Sequence, residues 1–251
     1  MSDVPETLRL RLDRARDLIF QSRALIFDVD GTLAETEEVH RRAFNAAFVR
    51  TNLGWCWGRD VYKDLLRVAG GKERIRAFDR LRGVSSALSD AEIVELHRIK
   101  TTIYAELIAS GGCPLRPGVG ALLTSALTRG QRLAIATTTS RGNIDALLAA
   151  ALGKDWANLF TAIVAGDEVL NKKPAPDVYL EVLSRLNLSA SECLSIEDSG
   201  IGLVAASRAG IPVLISRSAY FRDDDFSGAL LAIDDLTEVT DVSYDTSDTV
   251  G

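Results

Sequence analysis

Apolar positions along this chain follow two rhythms. Pro5 to Gln21 sets Leu8, Leu12, Ala15 and Ile19 at helical spacing with charges between them, which predicts an amphipathic helix. Whether that helix docks on the rest of the chain or on a partner is left open. Ala24 to Phe27 is then an unbroken apolar run leading into Asp28-Val29-Asp30-Gly31-Thr32. A short apolar run with a glycine turn behind it predicts a buried strand of a parallel sheet. Helical spacing returns at Glu35 to Val49, where Thr36 precedes Val39, Ala43, Ala46 and Ala47. It continues through Asp60 to Leu81 and Asp90 to Ala109 with no strand between, and Pro114 and Pro117-Gly118 end the run.

From there the two rhythms alternate. Val119 to Thr128 predicts a helix, Arg132 to Thr137 a strand, Asn143 to Leu152 a helix and Thr161 to Ala165 a strand. Ala175 to Leu186, Glu192 to Ile196, Ile201 to Ala209 and Pro212 to Ser216 repeat the alternation, and Leu230 to Ile233 predicts one more short strand. Strands alternating with helices indicate an α/β domain with a parallel sheet, and a strandless run after the first strand indicates a helical insert. The expected division is an N-terminal helical extension over 1–22, a core over 23–34 and 115–239, an insert over 35–114 and a loose tail over 240–251. Ala34-Glu35 and Leu115-Arg116-Pro117 cross between core and insert and are the natural hinges.

Composition narrows the partners. The 251 residues are 47% hydrophobic and carry a formal charge of -6, an ordinary globular composition that argues against general nucleic-acid or anionic-membrane binding. Small molecules are the expected ligands. Cys56, Cys113 and Cys193 form no C-x-x-C pair, so free thiols in a reducing compartment are expected and a zinc site is not. No apolar stretch approaches the roughly 20 residues of a membrane helix, and no signal-like segment opens the chain; a cytoplasmic monomer is expected.

The strands end in residues suited to phosphate chemistry. Asp28 and Asp30 close the first, Thr137-Thr138-Thr139 the second, Lys173 follows the third, and Glu197-Asp198 close the fourth. Carboxyl ends of parallel strands converge on one crevice, so two sets of carboxylates, hydroxyls and an ammonium would meet there. Taken singly these residues have plain readings: a turn for Asp-x-Asp-Gly, a strand for the threonines, a solvated lysine, a helix cap for Glu197-Asp198-Ser199. Their order is what carries the inference. Gly200-Ile201-Gly202-Leu203-Val204-Ala205 matches a dinucleotide-binding pattern, but Glu197 and Asp198 would stand beside the pyrophosphate, and the reading is rejected. Gly70-Gly71-Lys72 lacks the first glycine and the Ser/Thr of a P-loop.

DVDGT, the threonine after LAIA, the lysine of KKPAPD and the EDS after an apolar strand resemble the four motifs of the haloacid-dehalogenase superfamily, in order, over about Arg23 to Ile233. GGKER, LHRIKT and IATTTS are similar to its CbbY-like phosphatases. The resemblance implies a Rossmann-like core with a helical cap, magnesium dependence, and action on a sugar phosphate, notably xylulose 1,5-bisphosphate, a Rubisco inhibitor of the Calvin cycle. A carboxylate can attack an anionic ester only where cations mask the repulsion. Asp28 is then the nucleophile and Asp30 the general acid and base, with a raised pKa expected in the substrate complex. Magnesium is assigned to Asp28, the Asp30 carbonyl and Asp198, with Glu197 a less certain neighbour. Thr137, Thr138 and Thr139 would hold phosphoryl oxygens, and Lys173, preferred over Lys172 on the resemblance, would neutralise Asp28 and the phosphate.

Between Arg59 and Lys100 ten Lys or Arg face seven Asp or Glu, a balance of 10 - 7 = +3 in an acidic chain. This suggests a second phosphate site in the insert, with Lys72 and Lys100 first and Arg74, His97 and Arg98 behind them, and Gly71 counted among the substrate-binding residues. Glu37 and His40, at i and i+3, would read sugar hydroxyls, unless Glu37 is spent on Arg41. A β-phosphoglucomutase-like mutase and a non-catalytic phosphosugar-binding regulator are the alternatives.

Overall fold

The structure is a computed structural model and describes residues 6–83, 87–111 and 113–240; Pro5 and the expected tail beyond Thr240 lie outside them. Among the described residues six strands, β1 (Ala24–Phe27), β2 (Arg132–Ala136), β3 (Ala162–Val164), β4 (Cys193–Glu197), β5 (Val213–Ser216) and β6 (Leu231–Ile233), form one parallel sheet in the order β3-β2-β1-β4-β5-β6. Every residue of β1 is buried because helices cover both faces. Leu25 and Phe27 pack into one apolar cluster and Ala24 and Ile26 into the other, the period-two division a strand imposes. This is the doubly wound arrangement expected from the alternating pattern.

The helices are α1 (Glu6–Gln21), α2 (Glu37–Arg50), α3 (Arg59–Leu65), α4 (Gly71–Leu81), α5 (Asp90–Ala109), α6 (Val119–Thr128), α7 (Arg141–Leu152), α8 (Asp177–Leu186), α9 (Gly200–Arg208) and α10 (Thr237–Thr240). The open question about α1 has an answer: it docks on its own core. Ala15 and Ile19 are buried in the core cluster, Arg16 donates to the Glu238 carbonyl at 2.8 Å, and Gln131 donates to the Ile19 carbonyl at 2.7 Å. Leu8 faces outward.

Between β1 and β2 run α2 to α5, with an apolar cluster of their own built on Phe44, Phe48, Trp55, Trp57 and Tyr62. Two sequence boundaries need correction here. The helix expected from Glu35 starts at Glu37, and the continuous helix expected over Asp60 to Leu81 is two, broken where Gly70 adopts φ +93°. That left-handed φ is one a glycine reaches without Cβ strain. Among the described residues no helix is long and apolar enough to cross a membrane. Cys56, Cys113 and Cys193 are free thiols.

Candidate active site

The chain leaves β1, builds β2 and β3 on one side, then returns to place β4 on the other. Ligands of such sheets bind beyond the strand ends at this reversal. Asp28 follows β1 directly, and Glu197-Asp198 stand at the end of β4 alongside it. The turn after β1 is tight: Gly31, at φ +80°, leaves a gap that Asp198 fills, since a Cβ there would stand 1.9 Å from Asp198 Oδ2.

Lys173 sits under this cluster, buried, and its ammonium donates to Asp28 Oδ1 at 2.7 Å, Glu197 Oε1 at 2.6 Å and the Ala136 carbonyl at 2.9 Å. Three donors meet three acceptors, so the cation is satisfied in place. Lys172 instead reaches the Gly166 carbonyl at 2.7 Å, which separates the two lysines that sequence alone did not. Tyr179 donates to Glu197 Oε1 at 2.5 Å, leaving Glu197 fully engaged. Gly202 has no side chain because Glu197 occupies the space, with its carboxylate 2.0 Å from a would-be Cβ. The dinucleotide-like glycines thus make room for acids. Ser199 caps α9 by accepting from the Gly202 N–H, so the capping and site readings of this loop hold together.

Three buried carboxylates, Asp28, Glu197 and Asp198, bring ligand atoms within 4.8 Å of one another, and the first two share the Lys173 ammonium. Burial, offset by Lys173 and aided by Glu197, raises Asp28 to about 7. Burial together with Asp28 and Glu197 pushes Asp198 well above the carboxylate range. Asp198 Oδ2 is buried with no hydrogen-bond partner. An all-oxygen set with excess negative charge and an orphaned carboxylate oxygen fits a hard divalent cation.

Asp30 is in a different environment. Thr36 Oγ1 donates to Asp30 Oδ1 at 2.6 Å and His40 Nε2 approaches the same oxygen at 2.9 Å. A carboxylate only accepts, so His40 Nε2 carries the proton and Nδ1 is left to accept from Lys100 Nζ at 2.5 Å. His40 stacks on Tyr104 with ring centroids 4.2 Å apart, which fixes its plane. Burial would raise Asp30, but His40, Thr36 and Lys100 outweigh it and hold the carboxyl well below its ordinary range. The elevation expected from sequence belongs to a complex in which a phosphate adds negative charge beside it; in the ligand-free protein the direction is the reverse. Thr36 was missed as a site residue. It precedes α2 as an N-cap would, yet makes no side-chain cap bond because its hydroxyl is spent on Asp30.

The candidates Asp28, Asp30, Glu37, His40, Gly71, Lys72, Arg74, His97, Lys100, Thr137, Thr138, Thr139, Lys173 and Asp198 line one cleft, which Arg98 does not. Several differ in detail from expectation. Glu37 accepts from Tyr62 at 2.7 Å, and Arg41 pairs with Glu38 instead. Arg74 borders the cleft, but its guanidinium donates to the Leu65 carbonyl and the Tyr62 hydroxyl and lies over the Tyr62 ring, so it braces the insert. Arg98 is exposed on the outer face of α5, paired with Glu95. Gly71 admits His97, whose Nε2 would lie 2.5 Å from a Cβ, and burial beside Lys100 and Lys72 lowers His97 to about 3, a neutral ring. The Thr137 hydroxyl accepts the Thr139 N–H at 3.3 Å, closing the turn after β2, and Asn143 donates to Thr139 at 2.9 Å.

Residues 22–210 match the haloacid dehalogenase-like hydrolase family. The chain belongs to this family. Within it, the chain is 53% identical over 215 residues to Protein CbbY of Rhodobacter capsulatus, covering 86% of this chain and 94% of that protein. The crystal structure of CbbY from Rhodobacter sphaeroides in complex with phosphate superposes with a TM-score of 0.83 at 42% identity, over 87% of this chain and 96% of that one. A mutant of the same protein in complex with xylulose-(1,5)bisphosphate gives a TM-score of 0.82 at 42% identity, over 86% and 96%. Membership makes the chain a hydrolase with the family's α/β fold, and the acid cluster at the sheet reversal is where its chemistry would be expected.

Proposed function

We propose that this hydrolase is a magnesium-dependent phosphatase that releases phosphate from a small sugar phosphate through an aspartyl-phosphate on Asp28, with xylulose 1,5-bisphosphate as its substrate and xylulose 5-phosphate as product. The observation that carries this is the buried constellation at the sheet reversal. Asp28 is held at 2.7 Å by Lys173, and Asp198 beside it keeps an unpartnered oxygen. The likeness to CbbY proteins, one of them crystallised with xylulose-(1,5)bisphosphate, supports the choice of substrate.

Asp28 attacks phosphorus while Asp30 delivers a proton to the departing sugar oxygen; Asp30 then takes a proton from the water that cleaves the acyl phosphate. Lys173 offsets charge on Asp28 and the phosphoryl group, and the Thr137 hydroxyl and the turn behind it offer donors to phosphoryl oxygens. Asp28, Asp198 and the Asp30 carbonyl would hold magnesium, which when bound would supply further charge neutralisation. His40 and Thr36 orient Asp30, and Glu37 accepts sugar hydroxyls. Lys72, with the uncapped N-terminus of α4 at Gly71, takes the second phosphate. The helical segment from α2 to α5 acts as a cap whose closure excludes water.

Asp28→Asn keeps the shape of the site and removes the nucleophile. Phosphate release from xylulose 1,5-bisphosphate should vanish while calorimetric binding of the sugar persists; undiminished release would sink the assignment. Formation of glucose 6-phosphate from β-glucose 1-phosphate by the wild-type protein would move the reading to a mutase.

A further inference from the structure

Two ion pairs of opposite polarity cross the mouth of the cleft. Lys72 of α4 meets Asp167, in the turn after β3, at 2.9 Å. Its neighbour Glu73 faces Lys172, from the segment that follows that turn, at 3.8 Å. Lys172 also holds the turn itself through the Gly166 carbonyl at 2.7 Å. The insert contributes a cation and then an anion, and the core answers with an anion and then a cation. Both carboxylates line a cleft whose lysines attract anions, and Asp167 is the one in direct contact with Lys72, at 2.9 Å, where it repels the ligand that this lysine attracts.

The geometry points to Asp167 as a specificity-determining residue that stands in for the distal phosphate, holding Lys72 when the ligand has none and yielding it when the ligand has one. This rests on the reading of Lys72 as a phosphate-binding residue. A phosphate carries more charge than a carboxylate and offers three strong acceptor oxygens, so it competes for the ammonium. A bisphosphate ties Lys72 to the core through its own length, and the Asp167 pair is then dispensable for closure. A monophosphate provides no such bridge, and closure over it depends on Asp167. The Lys72 and Asp167 side chains are 34% and 48% exposed, so the pair is weak enough to be exchanged.

The two sides of the pair therefore predict opposite changes in selectivity. The probes are xylulose 1,5-bisphosphate and xylulose 1-phosphate, which share the scissile phosphate and differ only in the distal one. Asp167→Asn should lower kcat/KM for the monophosphate by about two- to fivefold, the range of an exposed pair, and leave the bisphosphate unchanged or improved. Lys72→Ala should lower the bisphosphate far more than the monophosphate. Equal losses for Asp167→Asn on both substrates, or a gain on the monophosphate, overturn the stand-in role. Equal losses for Lys72→Ala overturn the phosphate site itself, a separate failure read in a separate variant. A simple weakening of the fold moves both substrates together and cannot produce opposite ratios.

Discussion

Lys100 is a buried ammonium whose close contacts are a neutral imidazole and two rings. Its Nζ lies 2.5 Å from His40 Nδ1, 4.8 Å from the centre of the Phe44 ring and 5.0 Å from that of Tyr104. Burial dominates, and although Asp30 partly compensates, the amine is pulled down from 10.5 to about 7. The linkage sign follows from where the proton sits. Between about 7 and 10.5 the unfolded chain holds this proton and the folded chain does not, so stability falls as pH drops across that window and the loss is complete below about 7. The slope reaches about 1.4 kcal/mol per pH unit at most for one group. Lys100→Met has no proton to lose there. Urea unfolding at pH 7 and pH 9.5 should show wild type gaining on the variant as pH rises; parallel curves would show that the ammonium is not strained by burial. The same side chain illustrates what a sequence withholds. Its positive charge was legible in LHRIKT, but its burial against His40 required α2 and α5 to be packed side by side.

At the scale of elements, the segment between α5 and α6 is held by a bridge from Leu115 to Ala34 and, above all, by the side chain of one residue. Arg116, buried, donates to the carbonyls of Gly31 at 2.5 Å, Ser216 at 2.8 Å, Arg217 at 2.5 Å and Asp234 at 3.0 Å, and its Nε lies 3.3 Å from Glu35. It joins the turn after β1, the ends of β5 and β6, and both crossings between core and insert. Arg116→Ala would strand these carbonyls and should cost about 3–5 kcal/mol in urea unfolding. Arg116→Lys, which keeps charge but loses the fork, should fall between. A change under about 0.5 kcal/mol for Arg116→Ala, the range of an ordinary surface substitution, would exclude the strut. The strands and most helices were legible in the chain because buried parallel strands are unbroken apolar runs and their order follows from alternation. The positions of Asp28, Asp30 and Asp198 were legible because they follow β1 and β4 directly, whereas Lys173 lies in the loop well beyond β3 and was preferred over Lys172 only on the resemblance. Arg116 and Asp167 were not, since their partners are backbone carbonyls or side chains far away in sequence that only the fold brings close, and Thr36 was not because its position before α2 reads as an N-cap although its hydroxyl turns back to Asp30. The break at Gly70 was hidden by helical residues on both sides of it.

For the molecule as a whole, the acid cluster couples folding to cation and proton. Without a cation, Asp28 is raised from 3.8 to about 7, chiefly by burial, so its contribution to stability is present at low pH and is lost as pH rises through about 7. Asp198 shifts the same way. A divalent ion held by Asp28 and Asp198 would replace those protons, and its binding energy would become folding energy because the unfolded chain offers no such site. Magnesium at about a hundredfold over its Kd should add about 2.7 kcal/mol, or roughly 5–10 °C in Tm for a chain of this size. The sign reverses the proton's preference: the shift should be full at pH 8, where the carboxylates need a cation, and small at pH 5.5, where protons already satisfy them. Thermal melts in magnesium and in EDTA at the two pH values measure it. Asp198→Asn removes the orphaned oxygen's charge and should remove the shift at pH 8 while leaving the EDTA melt at or above that of wild type, since a buried carboxylate has been relieved. Coincident melts with and without magnesium at pH 8, or a shift that survives Asp198→Asn, would place the cation elsewhere and leave the cluster without the role its charge demands.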